Sequence, residues 1–208
     1  MRHKNLKNLK KISARTLARH RSVGGQGFTL IELMVVIALV AILSAIVIPG
    51  LSSFVQDGRV SANVNEFISS ITFARTEAVK RGRLVTMCRS SNADAGNAST
   101  CLAAGDDWAS GWIVYEESTT ADVASVGTRE TSEPIAIRRG ALLSNIIVKS
   151  NPAISRITFN SLGQPVGPAA AATLGFDFSV KEKSPRKVCI SRIGRVKVIQ
   201  RPAANAVC

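Results

Sequence analysis

Gly27-Phe28-Thr29-Leu30-Ile31-Glu32-Leu33 opens an apolar run that continues to Pro49 and holds one carboxylate, Glu32, within its first turns. As a helix, Phe28 to Pro49 would extend about 30 Å, the depth of a bilayer's hydrocarbon. A charge inside such a segment costs a few kcal/mol unless it meets a partner, so Glu32 reads as a functional group. Ahead of it, residues 1–27 carry eight Lys or Arg (Arg2, Lys4, Lys7, Lys10, Lys11, Arg15, Arg19, Arg21) and no acid. The positive-inside tendency holds that leader in the cytoplasm and sends everything after Pro49 across the membrane. An ordinary secretory signal is cut behind its apolar core, whereas the distinctive junction here, Gly27-Phe28, lies ahead of it. A cut there removes the leader, keeps the apolar segment and leaves a new amino terminus four residues from Glu32.

Gly27-Phe28-Thr29-Leu30-Ile31-Glu32-Leu33 resembles the prepilin processing motif of type IV pilins and type II secretion pseudopilins. The resemblance implies cleavage after Gly27 and N-methylation of Phe28 by the inner-membrane prepilin peptidase, then assembly through the helix that follows. Glu32 would pair with the terminal ammonium of a neighbouring subunit, so that two costly charges satisfy each other.

Once the leader's eight cations are removed, the formal balance of +13 falls to +5. The roughly 150 residues after Pro49 suit one head domain with its own core. Aromatic residues are 5% of the chain, which argues against a carbohydrate-binding surface. Cys88, Cys101, Cys189 and Cys208 all follow the apolar segment, and on an exported head they read as two disulfides. Cys88 with Cys101 and Cys189 with Cys208 are the expected pairs, because each closes a short stretch with little structure of its own. No Cys-x-x-Cys is present, and His3 and His20 both lie in the leader, so no metal and no cofactor is expected. The same lack of histidine beyond the leader excludes His-based catalysis, and neighbouring acids such as Glu116-Glu117 point to opposite faces of a strand. The chain is not read as an enzyme.

Val60, Val64, Phe67, Ile68, Ile71, Ala74 and Ala78 recur at three- and four-residue steps, the signature of an amphipathic helix that ends near Gly82. It continues the apolar segment past weak points at Pro49-Gly50 and Asp57-Gly58. Beyond it, short apolar or alternating runs predict strands at 84–88, 112–116, 135–138, 146–149, 157–159, 174–180, 187–191 and 195–199. Turn residues separate them, including 161–165 and Ser184-Pro185. The expected fold is α+β and type IV pilin-like: a long N-terminal helix, its first half transmembrane, packed against antiparallel sheets. The expected division is 1–27 leader, 28–55 transmembrane assembly helix and 56–208 periplasmic head. The localisation that follows is the bacterial inner membrane, single-pass, and then a pilus or pseudopilus.

Trp108-Ala109-Ser110-Gly111-Trp112-Ile113-Val114-Tyr115 and Cys189-Ile190-Ser191-Arg192-Ile193-Gly194-Arg195-Val196-Lys197 resemble the GspH/FimT family of minor pilins and pseudopilins. The tryptophans at this spacing read as core and loop anchor. From Lys181 to Cys208 there are eight basic residues against one acid, Glu182. Proteins of the FimT branch bind incoming DNA through Gly-Arg-x-Arg at this place, and Gly194-Arg195-Val196-Lys197 departs from it at Lys197, which lacks the guanidinium fork. Lys187, Arg192, Arg195 and Lys197 are therefore candidate DNA contacts; the alternative is a solvated face or one that meets acidic patches of neighbouring subunits. The expected function is a minor pilin of a type IV pilus, FimT- or FimU-like, with prepilin peptidase, other pilins, the inner membrane and DNA as partners. The alternative is a GspH-like minor pseudopilin of type II secretion.

Overall fold

A computed structural model describes residues 27–118, 129–143, 145–170, 173–180, 183–200, 202 and 206–208. The leader ahead of Gly27, the expected turn beyond Ser118, and Lys181, Glu182 and Arg201 of the basic C-terminal stretch lie outside them. The chain divides into two compact units, Met1–Val47 and Ile48–Cys208. Helix α1, Leu30–Arg81, supplies residues to both.

In the first unit α1 begins on a side-chain cap. Thr29 Oγ1 accepts the Glu32 N–H at 3.2 Å, and the Thr29 carbonyl accepts the Leu33 N–H at 3.2 Å. The second is the first regular turn of the helix, while the first satisfies an amide that a helix start leaves without a partner, and Thr29-x-x-Glu32 has capping-box spacing. Glu32 also places negative charge in the first turn, where the helix dipole favours it.

The expected transmembrane first half is corrected by the structure. Among the described residues no helix is long and apolar enough to cross a membrane. The single-pass inner-membrane placement with a periplasmic head falls with it, since that topology needs a spanning element.

In the second unit, α1 buries Val60, Val64, Phe67, Ile71, Ala74 and Ala78 against two antiparallel sheets, so the unit is α+β. The helix stops at Arg81 because Gly82 takes a left-handed φ of +66°, which glycine adopts at no steric cost. One sheet joins β1 (Val85–Arg89), β2 (Trp112–Glu116), β3 (Ile135–Arg139), β5 (Arg156–Phe159) and β6 (Pro165–Val166) in the order β3-β2-β1-β5-β6. The other joins β4 (Ile146–Asn151), β7 (Leu174–Val180), β8 (Lys183–Ile190) and β9 (Val196–Gln200) in the order β4-β7-β8-β9.

Phe67 organises the core. Its ring meets Trp108, Trp112 and Phe178 edge-on at 5.3–5.6 Å and lies tilted on Phe176 at 4.8 Å, so helix and both sheets share one aromatic cluster. Each indole N–H finds an acceptor at 3.0 Å, Trp108 on the Ile154 carbonyl and Trp112 on Ser70 Oγ. β1 is buried on both faces: Val85 and Met87 join that core, while Cys88 packs with Ala93, Ile113 and Tyr115 on the other side.

The expected turn at 161–165 forms over 161–164, with Pro165 beginning the two-residue β6, whereas Ser184-Pro185, also expected as a turn, lies inside β8. The β7–β8 register shifts between Phe178 and Val180, opposite that proline, so its missing N–H breaks no ladder bond.

Candidate functional site

Three features carry the candidate function: the N-terminal motif, the disulfide-bounded loop and the C-terminal hairpin. At the motif, Gly27 is exposed with open space around its α-carbon. Phe28 is 84% exposed, and every large apolar side chain from Leu30 to Leu43 is at least 48% exposed. This helix segment is apolar on all sides, a pattern found where other chains or apolar surroundings cover it. Leu51, Phe54 and Val55 continue the exposed series, and Val60 is the first helix side chain in the head's core.

Cys88 is joined to Cys101, thirteen residues on, and Cys189 to Cys208, nineteen residues on. The first loop is held further by arginines. Arg89 donates to the carbonyls of Asp107 and Ala104 at 2.5 and 2.7 Å. Arg129 donates to the carbonyls of Asn97, Ser99 and Glu133 at 2.8–2.9 Å, tying the loop to the chain that enters β3. The end of α1 is pinned as well: Arg81 binds both Glu77 and Glu116, and its hydrogen bond holds the Glu77 carboxyl below its ordinary value. Both disulfides together use all four cysteines, and among the described residues no group of three acids, histidines or cysteines could hold a metal ion.

At the C-terminus, Ser191 and Arg195 close the β8–β9 hairpin: the Ser191 N–H donates to the Arg195 carbonyl at 2.9 Å, and the Gly194 N–H to the Ser191 carbonyl at 2.8 Å. Gly194 has φ +75°, and a Cβ there would collide with the Gly163 carbonyl oxygen. Its role in the Gly194-Arg195-Val196-Lys197 element is thus to let this turn seat on the 160–164 turn, where Arg75 of α1 donates to the same Gly163 carbonyl at 3.0 Å. The four expected DNA contacts separate. Arg192, Arg195 and Lys197 are exposed. Lys187 is 8% exposed, its ammonium donating to the Ala206 carbonyl at 2.6 Å and pairing with Asp177 at 3.3 Å, so its charge serves the C-terminal return of the chain.

The sequence model of a family described as type II transport protein GspH matches residues 63–194, from mid-α1 to the β8–β9 turn. This chain belongs to the GspH family. The prokaryotic N-terminal methylation motif matches residues 25–48, over the Gly27-Phe28 junction and Glu32. Prepilin peptidase-dependent protein D of Escherichia coli (strain K12) is 40% identical over 67 residues, covering 32% of this chain and 46% of that protein. The chain therefore spans about half the length of that curated relative. Crystal structures of the type IV minor pilin FimU of Pseudomonas aeruginosa (strain PAO1), in space groups P65 and P21, cover 67% and 70% of this chain and 91% and 92% of theirs. Their TM-scores are 0.45 and 0.47 at 18% identity, a likeness too remote to argue from. As a GspH-family protein the chain is a minor pilin or pseudopilin, a structural and non-catalytic class, processed by the prepilin route.

Several residues that shape these features in this GspH-family chain carry no functional motif. Arg75, Arg89 and Arg129 look like solvated cations in the sequence, and each hooks backbone carbonyls of a loop. Thr29 had a legible signal, a threonine three residues before Glu32 at the start of an apolar run.

Proposed function

We propose that this chain is a GspH-like minor pseudopilin of a type II secretion system, the alternative of the two expected machines. The observation that supports it is the match of residues 63–194, which takes in α1's packed stripe from Val64 onward and nearly all of both sheets, to the type II transport protein GspH. On this reading, prepilin peptidase cuts between Gly27 and Phe28 and methylates the new amino terminus. Residues 28–55 then act as an assembly helix, residues 56–208 as the head, and other pseudopilins as the partners. The exposed apolar side chains of Leu30 to Leu43 are covered by the same segment of neighbouring subunits. There, out of water, Glu32 meets the Phe28 ammonium of an adjacent copy, and each charge removes the penalty of the other.

A type IV pilus subunit that captures DNA is the second reading. It is favoured by the exposure of Arg192, Arg195 and Lys197 and weakened by the inward use of Lys187. The test is deletion of the gene, with protein secretion, twitching and DNA uptake measured in the same strains. Loss of secretion with twitching and uptake intact is the expected result. Retained secretion with loss of twitching or uptake would reject the pseudopilin reading in favour of the pilus.

A further inference from the structure

β9 is an edge strand of the four-stranded sheet, and among the described residues no strand pairs with its outer side. Which backbone groups it leaves open follows from the hairpin. Ser191 and Arg195 are joined by a ladder-type bond, so in the antiparallel alternation Lys197 and Ile199 also turn their N–H and C=O toward β8. Val196, Val198 and Gln200 therefore turn theirs outward. Beside this edge runs an open groove of about 690 Å³ between β9 and α1. Its apolar floor is Ile68, Val79 and Val196, and Val79 remains 52% exposed because the sheet stops one strand short of covering it. Its charged walls are Arg75, Lys80 and Arg195, with Lys80 3.8 Å from Glu77 on the same helix, and among the described residues no carboxylate lines it.

An unpaired edge beside an apolar stripe is the geometry that accepts an added strand, with main-chain bonds supplying affinity and side-chain pockets supplying specificity. The cations set the chemistry of the guest, since charge across an interface selects its complement. We propose that the outer edge of β9 and the Ile68–Val79 stripe of α1 take an extended acidic segment of a neighbouring subunit as a fifth strand of this sheet. Guest residues facing α1 rest on Ile68 and Val79, and guest carboxylates reach Lys80 and Arg195. The inference rests on the pseudopilin reading for the source of that neighbour. Nucleic acid fits less well, because the groove is built around unpaired amides and an apolar floor and presents no aromatic platform for bases.

The test is residue-resolved amide exchange on the processed chain, alone and with an end-blocked peptide of alternating valine and glutamate. Exchange at Val196, Val198 and Gln200 is expected to slow at least about tenfold, while Lys197 and Ile199, already bonded to β8, do not change. A peptide of alternating valine and lysine should leave all five amides as they were, and Lys80→Glu with Arg195→Glu should abolish the effect of the glutamate peptide. Both cations are exposed, so the double variant keeps the fold, which unchanged exchange in β7 verifies. Unmoved amides at the three outward positions, or equal slowing by the lysine peptide, overturns the inference. Duplex DNA that displaces the glutamate peptide would also overturn it and assign the hairpin to nucleic acid. The secretion phenotype is read independently, so failure here leaves the pseudopilin reading standing.

Discussion

Phe67 and Ile37 lie on the same helix, yet Phe67 is wholly buried among four aromatic rings while Ile37 leaves 59% of its surface exposed. Over Val60 to Ala78, α1 buries Val60, Val64, Phe67, Ile71, Ala74 and Ala78 against the sheets and leaves Ile68 and Phe73 partly covered. From Leu30 to Leu43 it is apolar all round apart from Glu32, and no described residue of its unit buries it. One half of the helix contributes to a fold, and the other presents an apolar surface of the kind that other chains or apolar surroundings cover. A subunit of this kind can separate the stability of its head from its capacity to assemble.

That separation can be broken in two directions. Phe67→Ala should produce the largest loss, about 3–5 kcal/mol from removed contacts and the cavity left behind, read by denaturant unfolding of the processed chain. Ile37→Ala should leave that transition within about 0.5 kcal/mol of wild type while lowering the amount of subunit in filaments. If Ile37→Ala destabilises the head as Phe67→Ala does, the two halves are not independent. Next in size, Cys88→Ser with Cys101→Ser should cost the head about 3 kcal/mol, since a crosslink over a loop of this length restricts the unfolded chain. Chemical denaturation with the Cys189–Cys208 bridge intact measures it, and an unshifted midpoint would mean that Arg89 and Arg129 hold the loop unaided. The smallest effect belongs to Thr29→Ala. Loss of its cap should cost about 1 kcal/mol at the helix start, seen as faster amide exchange at Glu32 and Leu33 with the head's unfolding midpoint unmoved.

How far the sequence reached depended on whether local pattern or distant packing decides each element. The buried stripe from Val60 to Ala78 was legible because its period is the helix's own, and the stop before Gly82 because only glycine takes that backbone cheaply. β2 and β7 match their predicted bounds, since apolar side chains of the right length between turn residues leave few alternatives. Ser184-Pro185 misled because proline usually ends a strand, and only the register shift in β7 makes room for it inside β8. The membrane span was read from the apolar run alone, and among the described residues no helix is long and apolar enough to cross a membrane. At the hairpin, alternation correctly set Arg195 and Lys197 in solvent. It could not show that Lys187, on the neighbouring strand, is covered by the returning C-terminus through Ala206.

The choice between machines was not in the local chemistry at all. A disulfide-bearing head and a basic hairpin pointed to the pilus, whereas the family match over 63–194 points to type II transport.

The account stands on Glu32 acting between subunits while the head folds without it. The direct measurement is the filament-incorporated fraction of Glu32→Ala relative to wild type, taken alongside the head's unfolding midpoint. Incorporation should fall at least about tenfold, because removing one member of a buried charge pair costs about 3–5 kcal/mol, with the midpoint unchanged. Wild-type incorporation of Glu32→Ala would contradict it.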